Sequence, residues 1–147
     1  MTPRFGTPPR PDVAYTRRPG AYAVLPRHGQ LLLTHQAQPV PELQLPGGGI
    51  DPGESPIRAL HREVFEETGW TITQPRRLGA FRRFAYMPEY DLWAEKLCII
   101  YLAWPVRMRD LPTEPGHTAV WANPAKAARD LGNAGDRYFV SRILPRA

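Results

Sequence analysis

The chain has a single cysteine, Cys98, and so cannot close a disulfide within itself. That scarcity fits a reducing compartment, and a cytoplasmic location is the expectation. Long apolar runs are missing as well. The longest, Leu97-Cys98-Ile99-Ile100-Tyr101-Leu102-Ala103-Trp104, has the length of a strand and falls far short of the ~20 residues of a membrane span, so no membrane association is expected. Met1 to Pro11 is proline-rich and lacks the apolar stretch of a secretory leader. Lysine is nearly absent: of 19 basic residues, only Lys96 and Lys126 are lysines. The net charge of +5 is therefore an arginine charge, and the planar arginine fork pairs with phosphate and carboxylate better than a point charge does. Such a balance suits small anionic ligands, nucleic acid or a merely solvated basic surface. With 42% hydrophobic and 22% charged residues over 147 positions, disordered and fibrous classes drop out and one globular domain remains.

Residues 1–14 read as a proline-rich arm, and residues 15–147 as the domain. Gly20 to Leu25 and Gln30 to His35 read as a hairpin about the turn Pro26-Arg27-His28-Gly29. Leu43-Gln44-Leu45 leads into Pro46-Gly47-Gly48-Gly49, where backbone must turn tightly or approach something closely. Ser55-Pro56 predicts a helix start, serine as cap and proline in the first turn, and Gly69 predicts its end. Strand patterns follow over Arg76 to Tyr86, Glu95 to Trp104 and Thr118 to Ala122. Asn123-Pro124 repeats the start signal for a helix reaching Leu131. Asp136 to Leu144 predicts a last helix with Tyr138, Val140 or Ser141, and Leu144 on one face. The order is that of an α/β fold with a mixed sheet between helices.

On a helical wheel from Pro56 to Thr68, Ile57, Leu60, Val64 and Thr68 form an apolar arc flanked by His61 and Phe65. Glu63, Glu66 and Glu67 gather on the other side, because spacings of three and four bring side chains together. Arg62 can pair with one carboxylate, which leaves negative charge over, and Glu54 adds a fourth acid from the preceding loop. A solvated acidic face accounts for glutamates alone. A hard divalent cation such as Mg²⁺ or Mn²⁺ accounts for them together with the glycine loop, since both deliver oxygen donors and backbone to one place. Helix N-termini and glycine loops also favour phosphate.

Gly48, Glu54 after five residues, and Arg62-Glu63-Val64-Phe65-Glu66-Glu67-Thr68-Gly69-Trp70 after seven more resemble the signature of the Nudix hydrolase family, MutT-like members included, at every fixed position. Trp70 fills a slot where a smaller aliphatic residue is usual. The resemblance extends to Leu45-Pro46-Gly47-Gly48-Gly49 and to His117-Thr118-Ala119-Val120-Trp121. It implies an α/β/α sandwich that hydrolyses a nucleoside diphosphate linked to another group. Glu63 and Glu67 would then be the main Mg²⁺ ligands, helped by Glu66, Glu54 and the Gly47 carbonyl. Arg62 would hold the glutamates in place, and Glu63 would be the base that activates water. The chain departs from the family at Thr118, where many members have an acid. Glu114, Glu89, Asp91 and Glu95 are the candidate substitutes.

Substrate residues are expected outside the signature. Arg82, sharing a strand face with Phe84 and opposite Arg83, is a candidate for the outer phosphates. Tyr86, with Tyr90 and Trp93, could stack on a base, and Asp136 lies near where MutT-like members read a purine. A nucleoside triphosphate or its oxidised form leads the substrate classes. ADP-ribose, a dinucleoside polyphosphate, a nucleotide sugar, a capped RNA end, or nucleotide or RNA binding without turnover remain alternatives. The resemblance also admits a homodimer. His28, His35, His61 and His117 show no metal-ligand spacing and are expected in turns, at edges or at the surface, His61 as a packed neighbour of the helix. Cys98 is expected to be buried and inert.

Overall fold

The computed structural model describes residues 2–143. Eight strands, β1 (Thr16–Val24), β2 (Pro26–Arg27), β3 (Gln30–Gln36), β4 (Glu42–Gln44), β5 (Gly47–Gly49), β6 (Trp70–Met87), β7 (Leu92–Met108) and β8 (His117–Ala122), form two sheets. The helices are α1 (Pro56–Thr68), α2 (Pro124–Asp130) and α3 (Ala134–Ile143), and a short 3₁₀ turn, Pro88–Tyr90, joins β6 to β7. One sheet runs β5-β1-β7-β6, with β1 and β7 parallel and the other pairs antiparallel. The second runs β2-β3-β4 and adds β8 to β3. This is the expected mixed α/β arrangement. Among the described residues no helix is long and apolar enough to cross a membrane.

The first sheet buries both faces because its central strands are apolar on both sides. Ala21 and Ala23 of β1 face α1 together with Ile99 and Tyr101, over Leu60 and Val64. Tyr22 and Val24 face the other way, with Phe81, Cys98 and Ile100, against Phe139 and Val140 of α3. The small alanines let α1 pack against this face of the sheet, and aromatic rings fill the space under α3. Near the latter face Phe5 of the arm meets Phe81 edge-on at 5.6 Å and Tyr138 at 5.2 Å. Its N–H bonds to Arg82 O at 2.9 Å, while Arg82 N–H bonds to Pro3 O at 2.8 Å. The arm thus covers backbone on β6 that would otherwise be a bare sheet edge.

Both predicted caps form. Ser55 Oγ accepts from Arg58 N–H at 3.2 Å, and Gly69 ends α1 with φ +79°. Asn123 Oδ1 accepts from Lys126 N–H at 2.8 Å at the start of α2. The predicted faces need two corrections. On α1 the buried residues are Ala59, Leu60, Val64, Glu67 and Thr68, whereas Ile57 is 41% exposed and His61 also faces solvent. The helix is rotated so that Glu67 turns inward over β5, which carries Ile57 out. On α3, Asp136, Phe139 and Val140 point in and Tyr138 is exposed; Leu144 lies outside the described residues.

Leu60, fully buried, and Ile57, exposed, have side chains of equal size. Leu60→Ala is expected to lower the unfolding free energy by about 3 kcal/mol and Ile57→Ala by less than about 1 kcal/mol. Chemical denaturation measures both, and equal losses would contradict this orientation of α1.

Candidate active site

Arg62 organises the acids. Its Nε and Nη2 donate to the two oxygens of Glu54 at 2.8 and 2.9 Å, a bidentate pair. Nη1 donates to Glu63 Oε1 at 2.9 Å and to Glu66 Oε2 at 3.4 Å, and Nη2 reaches Gly49 O at 3.0 Å. These bonds tie the glycine strand, the loop and α1 into one unit. The hydrogen bonds from Arg62 hold the Glu54 carboxyl down to about 2.

The four glutamates divide into two pairs. Glu63 and Glu67 line a cleft of about 470 Å³, whereas Glu54 and Glu66 stand behind them on Arg62. Glu67 is 5% exposed, and burial raises its carboxyl well above the ordinary range against the Gly47 N–H bond to Oε1 at 3.0 Å. Glu63 is raised by burial too, with Arg62 opposing. The glycines here form a strand on β1, with Gly20 facing Gly49 and Tyr22 facing Gly47, where the sequence suggested a loop. Close approach explains why glycine is needed: a Cβ on Gly48 would stand 2.5 Å from the Glu63 carboxyl carbon.

The donors fit a hard divalent cation. They are carboxylate oxygens, two of them taken out of water, and a positive charge would return the charged forms that burial disfavours. Among the described residues no three acid or imidazole groups already converge as a cage. Mg²⁺ takes one or two carboxylates and keeps several waters, and Glu63 and Glu67 are the two signature glutamates that line the cleft. The structure supplies Gly47 to Glu67 through its N–H.

His117 was expected at an edge or surface, yet it completes this corner. Its Nδ1 lies 3.1 Å from Thr34 Oγ1 and 3.7 Å from Glu67 Oε2. Burial lowers its pKa, so at neutral pH the imidazole is uncharged and contributes a hydrogen bond rather than an ion pair. Its sequence signal was position: it opens the late strand β8, which pairs with β3 and lies against α1. Of the acids weighed as substitutes at the Thr118 position, Glu114 is the one whose charge acts on Glu63, Glu67 and His117. Glu95 is bound to Arg17 and Arg82, and Asp91 to Tyr86.

The expected substrate residues separate. Asp136 is in the cleft, fully buried, accepting from Leu45 N–H at 3.4 Å. Arg82 is not: it points to the opposite face, where it pairs with Glu95 at 3.1 Å, and Arg83 lines the cleft instead. Strand parity was read correctly, but the buried Phe81 shows that the odd-numbered residues face inward. Tyr86 lies outside the cleft, with its hydroxyl donating to Asp91, while Met87 and Tyr90 line the rim. Cys98 is buried in the floor, and its thiol is pushed up to about 12 by burial, which keeps it inert.

The NUDIX domain model matches residues 14–143. This chain belongs to the Nudix family. A Bacillus subtilis protein provisionally named 8-oxo-dGTP diphosphatase is 35% identical over 74 residues, half of this chain and half of that protein. An RNA pyrophosphohydrolase of Pectobacterium atrosepticum is 49% identical over 41 residues, 28% of this chain and 23% of that one. The chain thus matches half or less of the length of these Nudix relatives. Among solved structures, a MutT NUDIX hydrolase from Burkholderia pseudomallei superposes with TM-score 0.69 at 23% identity, covering 88% of this chain and 99% of the other. A MutT protein from Bacillus halodurans gives 0.69 at 22%, covering 84% and 80%. At these identities the structural likeness establishes the Nudix fold.

Asp136 gives this end of the cleft a pH signature. Burial raises its carboxyl to about 6, against the Leu45 N–H bond, Arg83 and Asn133. The folded state therefore holds a proton that the unfolded chain releases near pH 4, and stability falls as pH rises from about 4 through about 6. Asp136→Asn keeps an acceptor for Leu45 and has no proton to lose. Relative to wild type it is expected to gain up to about 3 kcal/mol in unfolding free energy between pH 4 and 7.5. Urea unfolding across that range measures the gain, and a constant difference would contradict a carboxylate whose burial outweighs its partners.

Proposed function

We propose that the chain hydrolyses a phosphoanhydride bond in a nucleoside diphosphate linked to another group, with Mg²⁺ or Mn²⁺ as cofactor. A nucleoside triphosphate, oxidised forms included, is the leading substrate, and a nucleoside monophosphate and pyrophosphate are the products. The observation that carries this reading is the meeting of Glu63 and Glu67 with the Gly47–Gly49 strand in a cleft that Asp136 also lines. The Bacillus subtilis relative named for 8-oxo-dGTP supports the triphosphate. The RNA pyrophosphohydrolase relatives support a 5′-triphosphorylated RNA end as the second reading.

Glu63 and Glu67 would hold the cation, with Glu66, Glu54 and the Gly47 carbonyl in support. When bound, it supplies charge that neutralises the phosphate oxygens and the leaving group. The chain's own residues do the rest. Arg62 fixes Glu63 through the 2.9 Å bond, so that its free oxygen can take the proton of a water. The water oxygen bonds to phosphorus as the bridging P–O bond breaks, and the displaced phosphate, nucleoside monophosphate or pyrophosphate according to which phosphorus is attacked, leaves with that electron pair. Asp136 and the Tyr22 hydroxyl offer polar groups to the base, Asp136 in its protonated form at lower pH as a donor.

A panel of dNTPs, 8-oxo-dGTP, ADP-ribose, diadenosine polyphosphates and a nucleotide sugar, with and without Mg²⁺, tests the class. Metal-dependent pyrophosphate release from a triphosphate is expected. Glu67→Gln should keep the fold, because glutamine still accepts from Gly47, and cut turnover by at least about a hundredfold. Near-wild-type turnover in that variant, or hydrolysis indifferent to metal, would contradict the assignment.

A further inference from the structure

Three cations stand side by side on the floor of the cleft. Arg18 of β1 is in register with Lys96 of β7, and Lys96 with Arg83 of β6. All three line the cleft. Like charges directly opposite one another in a sheet repel. Yet among the described residues none of the three has a carboxylate within ion-pair distance, and Arg18 rests instead over the Tyr90 ring at 4.5 Å. Lys96 is half-buried, with burial and Arg83 both depressing its pKa. The other face of the same strands is built differently. There Glu95 sits between Arg17 at 3.4 Å and Arg82 at 3.1 Å and pairs with both. Glu42 and Glu89 reach Lys96, and Asp136, bonded to Leu45 N–H, reaches Arg83, only through space.

Cations left unpaired on the face that meets a ligand, beside cations paired on the face that does not, call for an anion. Its place is set by the sheet. Gly48, against Glu63, is on β5 in the row of Ala21, and Arg83 is on β6 in the row of Arg18, three strand spacings across and three residues along, roughly 17 Å away. Between them the floor is Gly20, Tyr22 and Cys98.

We propose that Arg18, Lys96 and Arg83 form a second phosphate-binding subsite, remote from the glutamates, for a phosphate on a sugar hydroxyl of the substrate nucleoside. This rests on the nucleotide reading of the cleft and narrows it to substrates phosphorylated on both sides of the nucleoside. Such a 3′-phosphate comes either from a doubly phosphorylated mononucleotide or from the following residue of a triphosphorylated RNA end.

Titration of the intact protein in EDTA with guanosine 3′,5′-bisphosphate and with guanosine 5′-monophosphate reads the subsite without turnover. Wild type is expected to prefer the bisphosphate by about tenfold or more, as a charge-assisted contact gives. Arg83→Gln and Lys96→Gln should each bring that ratio towards one, while Arg17→Gln, on the other face, leaves it. Equal affinities in wild type, or a preference that survives both substitutions, overturn the proposal. Both variants lose a repulsion and should melt no lower than wild type. A fall in Tm for both would make the row a structural element and overturn it as well. Hydrolysis separates the sources: a KM below that of GTP for guanosine 3′-phosphate 5′-triphosphate assigns the mononucleotide, and for a triphosphorylated dinucleotide the RNA end. A KM above that of GTP for both overturns the proposal. If no nucleotide is hydrolysed, the proposed activity fails and the EDTA titration still decides the subsite.

Discussion

One guanidinium holds the acidic corner of this protein together. Arg62 binds Glu54 with both edges of its fork, reaches Glu63 and Glu66 along its own helix, and closes on Gly49 of the strand opposite. Without it, acids on successive turns of α1 would repel. With it, the loop that opens the helix, the helix itself and the glycine strand keep one geometry, and two carboxylates are left to face the cleft. A lysine could not replace it, because a point charge does not satisfy a bidentate carboxylate and three further acceptors at once.

The remainder of the cleft follows from the sheet. Glycine at 48 lets α1 bring Glu63 against the edge strand, and alanines on β1 and β7 let the same helix lie close over the sheet. On the far side, Phe139 and Val140 hold α3 at the depth where Asp136 is buried against Leu45. Acids thus collect at one end and on the β5 edge, while the cations of β1, β7 and β6 share the floor. Charge on the two faces of one strand is handled in opposite ways. Glu95 pairs with the arginines that face away from the cleft, whereas among the described residues no carboxylate lies within ion-pair distance of those that face it.

Much of this was legible in residue order because local chemistry carries it. Ser55-Pro56 and Gly69 mark a helix through their backbone preferences, and those ends are where they were expected. Arg62, Glu63 and Glu66 lie within about one turn of each other on α1, so their meeting needs no tertiary knowledge. What could not be read depends on how elements are oriented against each other. The apolar arc of α1 was wide enough to admit two rotations, and the one that inserts Glu67 exposes Ile57. Alternation on β6 separated Arg82 from Arg83, but only the packing of Phe81 under α3 decides which looks into the cleft. His117 lies 50 residues beyond Glu67 and 83 beyond Thr34, and only strand pairing brings the three together. The row Arg18, Lys96, Arg83 is likewise a property of register between distant strands.

The central claim is that Glu63 and Glu67 form a divalent-cation site in the folded protein. Thermal unfolding of the metal-stripped chain with and without millimolar Mg²⁺ tests it most directly, because a ligand that binds only the folded state raises Tm. The account predicts a rise that grows with Mg²⁺ concentration. An unchanged Tm at saturating Mg²⁺ would contradict it.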